Sequence, residues 1–469
     1  MTLRVRALLA ALIVVTVAAA GALFVGYRTG VLAGQHGIDV ATTGDVSDLF
    51  ASNGADGTRM VDLALRKLES SFYKPVDPQT PVDGEATALR GYLKSKKIPH
   101  ASLPQSANDN ASSVADLLSY AQSHYATQLG TTGRADLTEA ALRGIMESVK
   151  DPYTVYLSPH EIQGLNESLS GGNFGGIGVY IYQLKDGHVV VQPIDAMPAA
   201  RAGMKPGEVV DTVDGVTVRG LPLDRVEQMI RGEAGSSVRL TTHPFTSKGG
   251  ERSYTIVREI IHVPTVRAKI EDGMDYIRLS DFGTTSGDEV RKALIDGHAS
   301  GAKGYILDLR DNGGGLLDAA VQISSLFIPQ GTIVSTIRRD GQSTSEEALG
   351  DAIGGLEPLV VLVNRYTASA SEITSGALQD YHVATLIGTR TFGKGVVQSI
   401  YPMPDQGALK ITTARYVTPL GRDIQHRGIV PDIVIAQDPD PAIIDTPADK
   451  QLNAAKARIR SLLHSQRTS

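Results

Sequence analysis

Two short apolar runs limit the architecture of this chain more than any other feature. Tyr305 to Leu309 and Pro358 to Val363 are apolar runs, the pattern of strands buried on both faces. Each leads into a Gly- or Ser-rich turn and then into a helical periodicity, so from residue 261 onward strands alternate with helices. That alternation predicts an α/β core.

The rest of the chain has a different texture. Met60, Leu63, Leu65, Leu68 and Phe72 recur at near-helical spacing. An irregular stretch from 75 to 133 follows, with helix-like islands near 84–97 and 112–129 and a polar breaker from Pro99 to Asn110. A further helix is predicted from Leu137 to Val149, stopping at Asp151-Pro152. Between 174 and 260 the pattern becomes short alternating strands, including Val189 to Val191, Glu208 to Val213 and Val238 to Thr242, with a tight turn at Asp214-Gly215 and one helix at Leu223 to Arg231.

The N-terminus carries Arg4 and Arg6 ahead of an uncharged run from Ala7 to Gly26. At 1.5 Å per residue, roughly 20 residues span about 30 Å, the hydrocarbon thickness of a bilayer. The basic flank predicts a cytoplasmic N-terminus and an exported body. The run reads as an uncleaved anchor, with Ala18-Ala19-Ala20 and Ala22 offering a cleavage site as the alternative. Residues 29–58, rich in Gly, Asp, Thr and Ser, read as a flexible stalk. The chain has no Cys, which removes disulfides, thiolate nucleophiles and cysteine-ligated metals and fits an oxidising compartment. A net charge of -6 argues against a nucleic-acid partner.

Four segments can carry chemistry. In Asn173-Phe174-Gly175-Gly176-Ile177-Gly178-Val179, glycines at a strand start let backbone N–H groups converge on an anion. A nucleotide loop would need a following helix and a Lys-Ser/Thr, which are missing, and a plain strand bend is the structural alternative. Asp308-Leu309-Arg310-Asp311-Asn312-Gly313-Gly314-Gly315 lies between a buried strand and a helix, where a turn can aim amides at developing negative charge. Asp308 and Arg310 can also pair structurally. Asn364-Arg365-Tyr366-Thr367-Ala368-Ser369-Ala370-Ser371-Glu372 follows the second buried strand and opens a helix, the setting of an exposed nucleophile, although helix capping explains a Ser there equally well. Spacing does not choose between Ser369 and Ser371. In Thr391-Phe392-Gly393-Lys394-Gly395-Val396-Val397-Gln398, Lys394 sits in an apolar setting where its pKa can fall far enough for base catalysis, with Gln398 on the same side to orient the amine. Of the 11 His, none stands in an evident triad context.

The glycine segment, followed by Pro198 to Glu208 and Asp214-Gly215, resembles a PDZ domain. That resemblance implies a backbone cradle for a peptide's terminal carboxylate at Gly176, Ile177 and Gly178, with the peptide added as a strand to a sheet edge. The three later segments, together with Asp151-Pro152-Tyr153-Thr154-Val155-Tyr156, Leu409 to Tyr416 and Gly428 to Asp432, resemble the C-terminal processing peptidases, or tail-specific proteases, over about 134–436. The resemblance implies a Ser–Lys endopeptidase with Ser369 as nucleophile, Lys394 as general base, Gln398 as its support, and an oxyanion hole from Ala370 and either Gly314 or Gly315. Asp380 and Glu372 match family positions as structural support. No metal or organic cofactor is implied.

The chain is therefore expected to be multidomain. Residues 1–28 form an anchor or signal, and 29–58 a stalk. An N-terminal helical region follows over 59–160, with an unusual insertion at 75–133. A PDZ domain occupies 165–260, and an α/β serine protease core of crotonase/Clp-like type occupies 261–436. A C-terminal tail runs over 437–469. Expected partners are protein or peptide substrates with free C-terminal tails and, through the first segment, the membrane. A homodimer through the N-terminal helices and an accessory adaptor protein are compatible additions. The catalytic body is expected on the periplasmic side, or secreted if the first segment is cleaved. The rival readings are a PDZ-based adaptor without turnover and a protease with a Ser-His-Asp triad.

Overall fold

A computed structural model describes residues 57–98, 102–104, 111–169, 174–184, 186–245, 250–262, 264–355, 358–437 and 443–468. The apolar run at 7–26, the stalk up to residue 56, most of the breaker at 99–110, and Asn173 lie outside the described residues. Among the described residues no helix is long and apolar enough to cross a membrane. The chain folds as two units. One comprises residues up to Gly164, Ala268–Phe282 and Val290 onward; the other comprises Leu165–Arg267 and Gly283–Glu289.

The first unit opens with helices α1 (Gly57–Ser71), α2 (Gln79–Ser95), α3 (Ala111–Leu129) and α4 (Gly133–Glu147). The stretch at 75–133 is thus not irregular overall. It holds two regular helices whose Leu89, Leu93, Leu117 and Leu118 are buried in the same core as Leu65, Leu68, Leu142 and Ile145. Removing it would take away more than a third of that core's buried residues. Strand β1 (Val155–Leu157) and helix α5 (Pro159–Leu169) follow.

The second unit begins with β2 (Phe174–Gly176), β3 (Val179–Gln183), β4 (Val189–Pro193), the short helix α6 (Pro198–Arg201), β5 (Glu208–Val213) and β6 (Val216–Thr217). It continues with α7 (Leu223–Ile230), β7 (Ser237–Pro244), β8 (Arg252–Val257) and β9 (Glu259–Ile261). Its main sheet runs β3-β4-β5-β7-β8, with β6 on β5, while β2 and β9 form a separate ribbon. Alternate residues Val189, Val191, Val238 and Leu240 point into a core closed by Val226 and Ile230 of α7.

The chain then forms β10 (Val266–Glu271), β11 (Met274–Leu279), α8 (Ser286–Ala299), β12 (Gly304–Asp308), α9 (Leu317–Ser325), β13 (Thr332–Arg338) and β14 (Ser343–Glu347). Next come β15 (Leu359–Val363), α10 (Ala370–Asp380), β16 (Ala384–Gly388), β17 (Val396–Pro402), β18 (Ala408–Val417), β19 (Ile433–Val434) and α11 (Lys450–Thr468). The apolar runs become β12 and β15, adjacent parallel strands in the order β10-β11-β12-β15-β16-β19, and every residue of both is buried. A second, antiparallel sheet runs β1-β18-β13-β14, with β17 also on β18.

The segment from 437 onward is not a detached tail. Leu452, Ala455 and Ile459 of α11 pack on Tyr276, Ile306, Val360 and Leu362 of the parallel sheet. Just before α11, Asp449 accepts two hydrogen bonds at 2.8 Å from the buried Arg310 guanidinium, which also binds Asp308 at 2.6 and 2.9 Å. Asp308 still balances Arg310 in Asp449→Ala, but two guanidinium donors lose their buried acceptor at about 1–3 kcal/mol each, so the variant should destabilise this unit by about 2–5 kcal/mol, read by denaturant unfolding. Glu85 on α2 is fully buried, and neither carboxyl oxygen has a hydrogen-bond partner among the described residues. Burial pushes its carboxyl well above the ordinary range, so folded protein holds a proton that the unfolded chain releases. Stability is then highest in acid and falls as pH rises from the ordinary carboxylate range towards the folded value. Glu85→Gln should raise Tm at neutral pH and flatten that slope, checked by thermal unfolding across the acid-to-neutral range.

Candidate active site

Three turns leave the C-terminal ends of adjacent parallel strands in the first unit. The glycine turn follows β12, the serine turn follows β15, and the lysine turn lies between β16 and β17. Such strand ends are where open parallel sheets place ligands. Asn312 fastens the first two. Its side chain donates to Leu279 O at 2.9 Å and accepts from Gly314 N at 2.9 Å, while its carbonyl accepts from Ala368 N at 3.1 Å. A Cβ on Gly314 would lie 2.8 Å from both Ala370 N and Ser369 Cβ, so only glycine permits this approach.

Ser369 stands at the N-terminus of α10 with φ 56° and ψ -118°, a conformation that costs a non-glycine residue about 1–3 kcal/mol. It is half-buried. Ser371, by contrast, is fully buried and donates to Asn312 O at 3.1 Å. Of the two serines, Ser369 is the more exposed. The Ala370 amide begins the helix and has no partner among the described residues. The Gly314 amide is already held by Asn312, whereas that of Gly315 has no partner among the described residues, so of the two glycines Gly315 has the free amide there.

Glu372 joins the serine turn to the lysine turn. Its carboxylate accepts from the amides of Ser369 (3.0 Å), Gly393 (2.7 Å) and Lys394 (2.9 Å), and from the Thr391 hydroxyl. Burial raises this carboxyl above its ordinary range, against the hydrogen bonds that favour the ionised form. From β18, the buried Tyr416 hydroxyl donates to Lys394 O at 2.6 Å and lies 3.1 Å from Ser369 O. Phe392 N also donates to Thr367 O at 3.0 Å.

Lys394 Nζ lies 4.8 Å from the centre of the Tyr153 ring. Burial, then repulsion from Lys410, pushes the Lys394 ammonium down to about 8, against attraction from Asp151 and Glu372. The Ser369 side chain faces the Glu372 amide in a capping box, and Lys394 Nζ has no hydrogen-bond partner among the described residues, so the two backbones are locked together while no hydrogen bond joins the two side chains. Gln398 is not on the amine either. A β-bulge at Val397/Gln398 shifts the register, and its Nε2 lies 3.4 Å from Val396 O. His426 borders the lysine turn by donating its backbone amide to Gly393 O at 2.8 Å, but its ring engages Gln425.

Sequence reading left Asn312, Tyr416, Tyr153, Asp151 and Lys410 without a role at this site. Their placement depends on the register of β18 with β1 and on the crossing of the turns, which local spacing does not encode. Asp380 pairs with Arg422 and accepts from Leu420 N at 2.9 Å, a structural position.

In the second unit, Ile177 and Gly178 have no acceptor for their amides among the described residues, while Gly176 is paired with Glu259 in the β2–β9 ribbon. Gly178 has φ 70°, and a side chain there would meet Met197. β3 is an edge strand. Gly178 O accepts from Ile194 N at 2.9 Å and Leu184 N donates to His188 O at 2.8 Å. By antiparallel alternation, Val179, Ile181 and Gln183 turn their backbone groups away from β4, towards an open edge beside α7.

Comparison with known proteins agrees with this geometry. Peptidase family S41 matches residues 274–435, and a PDZ domain matches 189–242. A carboxy-terminal-processing protease of Bartonella bacilliformis is 40% identical over 309 residues, covering 64% of this chain and 70% of its own. A carboxyl-terminal-processing protease of Synechocystis sp. is 38% identical over 330 residues, 68% and 76% of the two chains. A photosystem II D1 C-terminal processing protease aligns over 81% of this chain and 94% of its own, at 27% identity and a TM-score of 0.45. The chain belongs to peptidase family S41, the serine endopeptidases. Its relatives within that family are the proteases that process carboxyl termini, and it carries their PDZ domain.

Glu372→Ala would leave three amides and a hydroxyl without an acceptor, each costing about 1–3 kcal/mol. It should therefore lose ~3 kcal/mol or more of stability and abolish fluorophosphonate labelling of Ser369, checked by urea unfolding and by mass spectrometry of the labelled protein.

Proposed function

We propose that the chain is a C-terminal-tail endopeptidase in which Ser369 is the nucleophile and Lys394 the general base. One observation carries this reading. Glu372 and Tyr416 each bind the backbone of both residues, bringing an accessible serine and a half-buried amine of depressed pKa to one place. Neutral Lys394 takes the hydroxyl proton as Ser369 Oγ attacks the peptide carbonyl carbon. The Ala370 and Gly315 amides stabilise the oxyanion, at about 3 kcal/mol per donor. Lys394 then returns the proton to the leaving amine, and water, activated by the same base, hydrolyses the acyl ester. Gln398 supports the amine once a side-chain rotation releases Val396 O.

The substrate's last residues add to the open edge of β3, with the terminal carboxylate on the Ile177 and Gly178 amides and with Gly176 shaping the loop. Tail binding shifts the resting arrangement, in which no hydrogen bond joins the Ser369 and Lys394 side chains, towards one in which such a bond forms. The basic-flanked apolar run at 7–26 supports a membrane-tethered body on the periplasmic side. The parallel sheet with its helical connections supports a crotonase/Clp-like core. A homodimer and an adaptor rest on the family resemblance alone. An adaptor without turnover is disfavoured, because such a protein has no use for a strained Ser369 beside a depressed Lys394.

Ser369→Ala and Lys394→Ala should each abolish cleavage of an unfolded reporter ending in an apolar tail. Ser371→Ala should retain turnover, and tail-peptide binding should persist in all three. Undiminished cleavage by Ser369→Ala overturns the reading. In the active chain kcat/KM should rise with pH through about 8, as the amine loses its proton.

A further inference from the structure

Lys394 has a second amine for company. Lys410 lies on β18 two residues before Thr412, and alternate residues of a strand share a face. From that face Thr412 Oγ1 donates to Asp151 Oδ2 at 2.6 Å. β1 pairs Val155 with Lys410, so Tyr153, two residues earlier and under Lys394 Nζ, falls at the level of Thr412. Lys410 is half-buried and makes no hydrogen bond or ion pair among the described residues.

The titratable groups around the two amines are few. Asp151 and Tyr153 face them from the segment before β1, Glu372 from α10 and Tyr416 from β18, while the ring of His426 is held by Gln425. The Glu372 oxygens are taken by three amides and a hydroxyl. The Asp151 carboxylate is fixed by Thr154 Oγ1 at 2.7 Å and by Thr412. Glu372 acts on Lys394 alone and burial raises its carboxyl above the ordinary range, whereas the Asp151 carboxylate acts on both amines. In a half-buried layer it balances one ammonium, and a second would be held against repulsion and lost hydration.

We propose that Lys410 is the amine that carries this charge, and that its ammonium, balanced by Asp151, keeps Lys394 uncharged and able to accept the Ser369 proton. Lys410 is then a positioning residue that acts through Lys394, and the inference rests on Lys394 being the base. The direction of each shift agrees. Burial lowers both amines, Lys410 lowers Lys394 further, and Asp151 opposes the fall of each.

The test is the pH profile of kcat/KM for the full chain cleaving the tailed reporter. Lys410→Met, close to lysine in volume, should move the acid limb upward by about half to one pH unit. That is a loss of about three- to tenfold at neutral pH, recovered in alkali. Lys410→Arg, which keeps the charge, should leave the limb in place. Asp151→Asn should move it downward, and it decides the matter if thermal unfolding shows that Lys410→Met does not fold. A limb unmoved in Lys410→Met, whatever its plateau, overturns the proposal, as does an equal displacement in Lys410→Arg or an unmoved limb in Asp151→Asn. If the unsubstituted chain shows no acid limb, or Lys394→Ala still turns over, it is the general-base reading that fails instead.

Discussion

A single buried carboxylate organises the active region. Glu372 accepts the amides of Ser369, Gly393 and Lys394, so the serine and lysine turns cannot separate without stranding several donors in the protein interior. Tyr416 repeats the bridge through the carbonyls of the same two residues. The strained Ser369 backbone persists because it is over-determined by these contacts and by the Asn312 bond to Ala368. The main chain that carries the two residues is therefore held in one arrangement.

Much of this fold could be read along the chain. β12 and β15 stood out because strands buried on both faces need no alternation, and a run of Val, Leu and Ile has few other uses in an α/β core. The glycine, serine and lysine turns were visible because their residues are unusual for such connections. Less was legible where long-range partners decide. α2 and α3 showed helical islands, but amphipathic spacing does not say which helices will share a core. The segment after 437 looked like a tail because its polar start and basic helix resemble a linker, whereas Asp449 is the counter-charge to a residue 139 positions earlier.

The site shows the same division. Two serines one residue apart were indistinguishable by spacing, and the difference between them is a backbone angle and a carbonyl of another turn. Gly314 and Gly315 were equivalent until Asn312 was seen to occupy the first amide. Gln398 was aligned with Lys394 by a count of four, which a bulge in the strand undoes. Asp151 was read as a helix stop, although its carboxylate anchors β18 through Thr412.

The link between Arg310 and Asp449 bears on the order of assembly. During synthesis, residues 310–314 and 369–372 are made well before 449, so for that interval the guanidinium under the glycine turn lacks its second anion. The base under the glycine turn is therefore complete only once the last stretch of the chain has been made and has docked.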